Sequence, residues 1–337
     1  MSIPGNHNKA DFTMQIQEIF SIYKEDLQQV EKCISDNAIS EIKLIPEVAH
    51  HLIDSGGKRF RPLLLLIASR LCGYHGEHRY AMGTVMEYIH TATLLHDDVI
   101  DQALIRRGKT SANKVFGNSV SILVGDFLCF KAFMLMSEIG NNNIFELVSR
   151  MGNIMSEGEV FQLTKCGDIN MTRDDYLNII EKKTAVLISA SCAAGAILGS
   201  ASPEKIDAMA RFGKNAGMAF QITDDILDYA AKGQTFGKSI GKDLEEGKIT
   251  LPLIFALKQS TDEEKNTMKE ILSRKKSSRK AALQVRTFIE KYEGLELSRY
   301  TAAGYIKEAK RQLDVFEDCA EKKHLITVAD YILSRNV

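Results

Sequence analysis

The stretch LLHDDVIDQALIRRG, Leu94 to Gly108, crowds three carboxylates and two guanidinium groups into an apolar setting. Asp97, Asp98 and Asp101 form a DDxxD pattern in a segment with helical periodicity and no breaker. On a helix, residues four apart stack on one face. Asp97 and Asp101 can therefore grip one ion while Asp98 points about 100° away. Asp224, Asp225 and Asp228, in FQITDDILDYA, repeat the spacing on a second apolar helical segment. One such pattern reads equally well as a solvated acidic helix end, and the repetition is what weakens that reading. Mg²⁺ keeps several waters and is held by one or two carboxylates plus phosphate oxygens. Two acidic faces opposed across a cavity would hold several Mg²⁺ ions and a diphosphate between them. No His/Cys cluster suggests zinc.

A second anion needs direct positive charge. GGKRFRP, Gly56 to Pro62, supplies Lys58, Arg59 and Arg61 in a glycine-flexible turn that enters a helix at Pro62. Arg106 and Arg107 add two more cations beside the first aspartates. Guanidinium forks match phosphate oxygens in pairs. Either basic cluster alone reads as a solvated face. Next to metal-binding carboxylates, the combination suits two phosphorylated substrates held at once.

The elements that must position these groups are helices. Prolines occur only at Pro4, Pro46, Pro62, Pro203 and Pro252, so long segments carry no breaker. Apolar residues recur at three and four, as in Ile16, Ile19, Phe20, Tyr23, Leu27 and Val30, and strand-like alternation is scarce. Turn signals at 55–57, 72–77, 139–143, 199–204 and 232–243 divide the chain into helices of roughly 15 to 30 residues. One all-α domain over 11–337 follows, after a polar, frayed tail at 1–10. The small-residue run Ala185 to Ala201 reads as a tightly packed buried helix rather than a membrane span. The mixed-charge stretch Ser260 to Lys280 reads as a solvated helix and loop.

Composition narrows the partners. Lys+Arg 43 against Asp+Glu 44 leaves a net charge of −1, so no bulk field recruits nucleic acid or anionic membrane. Six cysteines without a CxxC pair read as reduced thiols, and the polar start lacks the apolar run of a signal peptide. A cytoplasmic protein is expected.

GGKRFRP, HTATLLHDDVIDQALIRRG, EKKTAVL, FQITDDILDY and GKSIGKDLEEGKITLPLI occur in this order. Taken together they resemble the trans-isoprenyl diphosphate synthases, the polyprenyl synthetase family, over nearly the whole chain. The resemblance implies a bundle of long helices around a deep central cavity, the isoprenoid synthase class I fold, as a homodimer. It implies that Asp97, Asp98, Asp101, Asp224 and Asp228 ligate three Mg²⁺ ions around an allylic diphosphate, with Asp225 contributing indirectly. Arg106, Lys183, Lys238 and Lys248 match the allylic diphosphate contacts. Lys58, Arg61, His90 and Arg107 match the isopentenyl diphosphate pocket, and Thr184 and Gln221 the surroundings of the reacting carbons. On the residues alone, His90 reads as readily as a core histidine, and Lys238 and Lys248 as a solvated loop. Ser239 stands where many relatives carry proline.

The growing chain is expected to run down the helix of Asp97, where one turn advances about 5.4 Å, close to one isoprene unit. Relatives with short products put bulky aromatics at the positions of Ala92 and Thr93. Small residues here imply an open tunnel and a long product, hexaprenyl to octaprenyl, with octaprenyl favoured. Phe133, Met134 and Met136 are candidate floor residues, though their helical spacing fits core side chains equally. The alternatives are a geranylgeranyl or farnesyl diphosphate synthase, a class I terpene cyclase, which needs no second diphosphate pocket, and a non-catalytic partner subunit.

Overall fold

The computed structural model of the chain describes residues 9–57, 59–230, 247–272 and 279–335. Pro46, Pro62, Pro203 and Pro252 each lie in the first turn of a helix, where a missing N–H costs nothing. They mark helix starts rather than kinks. The order is α1 (Lys9–Ile22), α2 (Lys24–Asn37), α3 (Leu44–Ile53), α4 (Phe60–Leu71) and α5 (His78–Ile100), then a minimal hairpin of β1 (Ile105–Arg106) and β2 (Lys109–Thr110). There follow α6 (Ala112–Val115), α7 (Asn118–Ile139), α8 (Asn142–Lys165), α9 (Arg173–Ile180), a π-helical turn (Glu181–Ala185) and α10 (Val186–Leu198). The chain continues through α11 (Pro203–Ala230), α12 (Leu251–Gln259), α13 (Asp262–Leu272), α14 (Arg279–Lys291), α15 (Gly294–Arg311), a 3₁₀ turn (Gln312–Val315) and α16 (Ala320–Ser334).

The expected turns at 55–57, 72–77, 139–143 and 199–204 all separate helices, and that at 232–243 lies outside the described residues. Helices are shorter than expected where a capping residue interrupts a periodic run. Thr172, for example, forms a reciprocal capping box with Asp175 and starts the eight-residue α9.

The central helix is α10, the small-residue run, buried against α4, α8 and α11. Its alanines, serines and glycines let neighbouring backbones approach closely. The helix of the first aspartates, α5, packs along α7 and α4, while α11, with the second cluster, packs on α10 and α15. A buried carboxylate joins α2, α4 and α5. Asp26 accepts from Arg70 at 2.5 Å, Arg79 at 3.1 Å and the Tyr80 hydroxyl at 2.9 Å. Burial opposes its ionisation, but the bonds from Tyr80 and Arg79 outweigh this and hold it below the usual carboxylate range.

Apolar on both faces, α7 buries Val124, Leu128, Ala132 and Leu135 inward and exposes Leu123, Phe130, Phe133 and Met134 outward. Among the described residues it is the one helix long and apolar enough to cross a membrane, with a mean hydropathy of 1.7 over its richest window. It is nevertheless packed along α5. Of the three expected floor residues, Phe133 and Met134 are 41% and 56% exposed and Met136 is buried. The first two lie on the outer face of the single chain, on a helix whose two sides are both apolar.

Candidate active site

Asp97, Asp98 and Asp101 end α5, Asp101 serving as its C-cap with its N–H donating to the Asp97 carbonyl at 2.8 Å. The chain then reverses in the hairpin. Arg107 and Gly108 both have positive φ, 51° and 79°, as a two-residue turn of type I′ requires. The reversal lays Arg106 back over the helix end, where Nε and Nη2 lie 2.7 and 2.6 Å from Asp98 Oδ1. His51 of α3 fixes the far side of the hairpin, with Nε2 2.8 Å from the Thr110 carbonyl. Asp98 is fully buried and turned inward. Expected among the metal ligands, Asp98 lies about 100° around the helix from Asp97 and takes Arg106 as a partner.

Asp225 does the same in the second cluster. It is 5% exposed, accepting from the Tyr176 hydroxyl at 2.5 Å and from Gln221 Nε2 at 2.8 Å. Asp224 is half-exposed, with Arg335 Nη2 3.5 Å away. Asp228 is partly buried on the same side of α11, four residues on.

Between the two clusters lies the π-helical turn. Such turns insert one extra residue into a helix and recur at functional sites. Lys183 reaches α5, its Nζ 3.4 Å from Asp97 Oδ2, and also α8, 2.7 Å from Glu159 Oε2. Thr184, the next residue, donates to Gln221 Oε1 on α11 at 2.8 Å. Two adjacent side chains thus tie both aspartate helices to one turn. Close approach makes this possible. A Cβ on Gly158 of α8 would lie 2.6 Å from Lys182 Cβ, and one on Gly217 of α11 would lie 2.6 Å from Ala185 Cα. Lys248, which follows the undescribed segment, brings its Nζ 3.1 Å from Asp101 Oδ2.

The basic loop folds around Arg59, whose φ of 45° turns the chain into α4. Its guanidinium is held by Glu31, by Glu87 at 3.1 Å and by the Ile53 carbonyl at 3.1 Å. Arg59 is therefore structural. Arg61 and Arg107 face His90, which sits one turn beyond Glu87 on α5. Burial first, then the charges of Arg61 and Arg107, hold the imidazole well below its usual pKa, so it is neutral. Lys58 and Lys238 lie outside the described residues. Glu87, Glu159, Tyr176 and the two glycines were not foreseen. Glutamates on helices read as solvated faces, and only their helical phase relative to the motifs could have singled them out.

The donor set is all oxygen, which suits a hard divalent cation. Among the described residues no three carboxylate, imidazole or thiolate groups converge to cage an ion on their own. Asp97, Asp101, Asp224 and Asp228 are the residues whose carboxylates could hold such a cation.

Residues 42–289 match the Polyprenyl synthetase family. The octaprenyl diphosphate synthase of Escherichia coli is 35% identical over 323 residues, covering 96% of this chain and 100% of that one. The chain belongs to the polyprenyl synthetase family. It is a trans-prenyltransferase with the isoprenoid synthase fold. A geranylgeranyl diphosphate synthase of Methanosarcina mazei is also 35% identical, covering 89% of this chain and 94% of its own. The crystal structure of a polyprenyl synthase from Caulobacter crescentus, complexed with calcium and isoprenyl diphosphate, superposes with a TM-score of 0.91. Its identity is 37%, over 96% of this chain and 98% of that one.

Proposed function

We propose that this synthase condenses isopentenyl diphosphate with an allylic diphosphate, in a Mg²⁺-dependent reaction, to give a long all-trans polyprenyl diphosphate. The product is placed between hexaprenyl and octaprenyl, with octaprenyl favoured. The observation that carries the chemistry is the π-turn joining both aspartate helices, with a separate arginine pocket at His90. Two anion sites of different construction suit two diphosphates in different roles. Three Mg²⁺ ions on the aspartates would supply the charge that draws off the allylic diphosphate.

Lys183, Arg106 and Lys248 hold that diphosphate, and the family resemblance assigns Lys238 to the same role. Arg61, Arg107 and Lys58 hold the isopentenyl diphosphate, and neutral His90 can donate a hydrogen bond without adding charge. As the allylic C–O bond breaks, the Thr184 and Gln221 oxygens face the developing cation, fixed by their mutual bond so that neither needs to reorganise. The isopentenyl double bond then attacks, and the proton released goes to the departed diphosphate. Apolar walls keep water from the cation.

Product length rests on Ala92, fully buried and small, on half-buried Thr93, and on Met136 as the remaining interior floor residue. Relatives at equal identity include octaprenyl and geranylgeranyl synthases, so overall similarity does not decide it. A homodimer is supported by the exposed phenyl cluster of α7 and α8, Phe130 to Phe133 at 6.1 Å and Phe133 to Phe145 at 6.3 Å. Six free cysteines support a cytoplasmic location.

The test is a product ladder from purified protein with isopentenyl diphosphate, a farnesyl or geranylgeranyl primer and Mg²⁺, beside a chelated control. Metal-dependent products of thirty to forty carbons, about six to eight isoprene units, are expected on the open-tunnel reading. A ladder stopping at geranylgeranyl overturns the length, and no product overturns the catalytic reading in favour of a partner subunit.

A further inference from the structure

Two ion pairs run side by side from α8 to the π-turn. On the outer side, Lys182 Nζ is 2.9 Å from Glu157 Oε2, whose side chain is 55% exposed. On the inner side, Lys183 Nζ is 2.7 Å from Glu159 Oε2, whose side chain is 23% exposed. The Lys183 ammonium therefore lies closer to Glu159, which has no place among the metal or substrate groups, than to Asp97 at 3.4 Å. Gly158, between the two glutamates, brings α8 so close that a Cβ there would be 3.2 Å from the Lys183 backbone nitrogen. The backbone of Lys183 is thereby pinned. Its side chain, with three rotatable donors on a flexible stem, is the part that can change partner.

We propose that Glu159 is a positioning residue that holds the Lys183 ammonium when no diphosphate is bound and competes with diphosphate for it. The proposal rests on the assignment of Lys183 to the allylic diphosphate. The ion pair is exchanged as diphosphate enters and restored as inorganic diphosphate leaves. A half-buried carboxylate beside an anion site opposes anion binding both by repulsion and by occupying the cation. The benefit is turnover. Each elongation step leaves one inorganic diphosphate, and a long product needs many such releases from one site.

The experiment is calorimetric titration of the full chain with inorganic diphosphate in the presence of Mg²⁺. Glu159→Gln, which keeps the shape and removes the charge, and Glu159→Ala should bind diphosphate about tenfold more tightly than the wild type, the scale of one partly desolvated charge pair. Glu157→Gln, outside the site, should bind as the wild type does. In a Lys183→Ala background the gain from Glu159→Gln should vanish. Unchanged or weaker binding by both Glu159 variants overturns the proposal. A gain that survives undiminished without Lys183 also overturns it, showing plain repulsion in place of exchange. Wild-type protein that binds no diphosphate would instead sink the underlying site assignment.

Discussion

Asp98 and Asp225 hold the same place in their two motifs, and the fold treats them alike. Each turns inward and orients a partner, Arg106 in one case and Gln221 in the other. The outward carboxylates were legible because a spacing of four on a helix puts two groups on one face. Their inward neighbours follow from the same geometry. What attaches to them was not fully legible, since Tyr176 becomes the partner of Asp225 only through packing of distant segments.

Two predictions belong to single residues. Ala92→Tyr should shorten the product by one or more isoprene units, read from the product ladder; an unchanged ladder would remove Ala92 from the tunnel wall. His90, held neutral in the folded state, binds fewer protons there than in the unfolded chain once pH falls below its ordinary value of 6.5. Its contribution to stability is thus present above about pH 6.5 and declines below it, by up to about 1.4 kcal/mol per pH unit. Thermal melts at two pH values should show the wild type losing more stability on acidification than His90→Asn. Equal losses would mean that His90 takes up its proton in the fold.

At the scale of elements, the π-turn decides most. Its residues read as helix in the sequence, because a single five-residue turn is too short to show a periodicity of its own. The hairpin was likewise hidden, since two-residue strands carry no alternation to detect. Long helices were legible, with proline marking their starts. Gly158→Ala would set a methyl against Lys182 and the Lys183 backbone. We expect a loss of about 1–3 kcal/mol in denaturant unfolding, as overpacking costs, with a larger relative fall in kcat than in affinity for isopentenyl diphosphate. A well-folded variant of full activity would show that the turn tolerates displacement.

The outer face of α7 belongs to the scale of the whole molecule. Phe133→Asp should turn a dimer into monomers in sedimentation equilibrium, and a wild type that is already monomeric would refute the assembly. Apolar residues on both sides of this helix are why the sequence placed Phe133 inside. The inner face of the same helix packs on α5, the helix of Ala92 and the first aspartates, tightly enough that a Cβ on Gly125 would strike the His96 ring at 2.4 Å. If two copies pair through the outer face of α7, as proposed, only one helix separates the neighbouring subunit from the proposed product wall at Ala92. On that reading the product spectrum depends on enzyme concentration. Dilution that separates the subunits slackens the wall, and the same protein will make a different mixture of lengths at nanomolar than at micromolar levels.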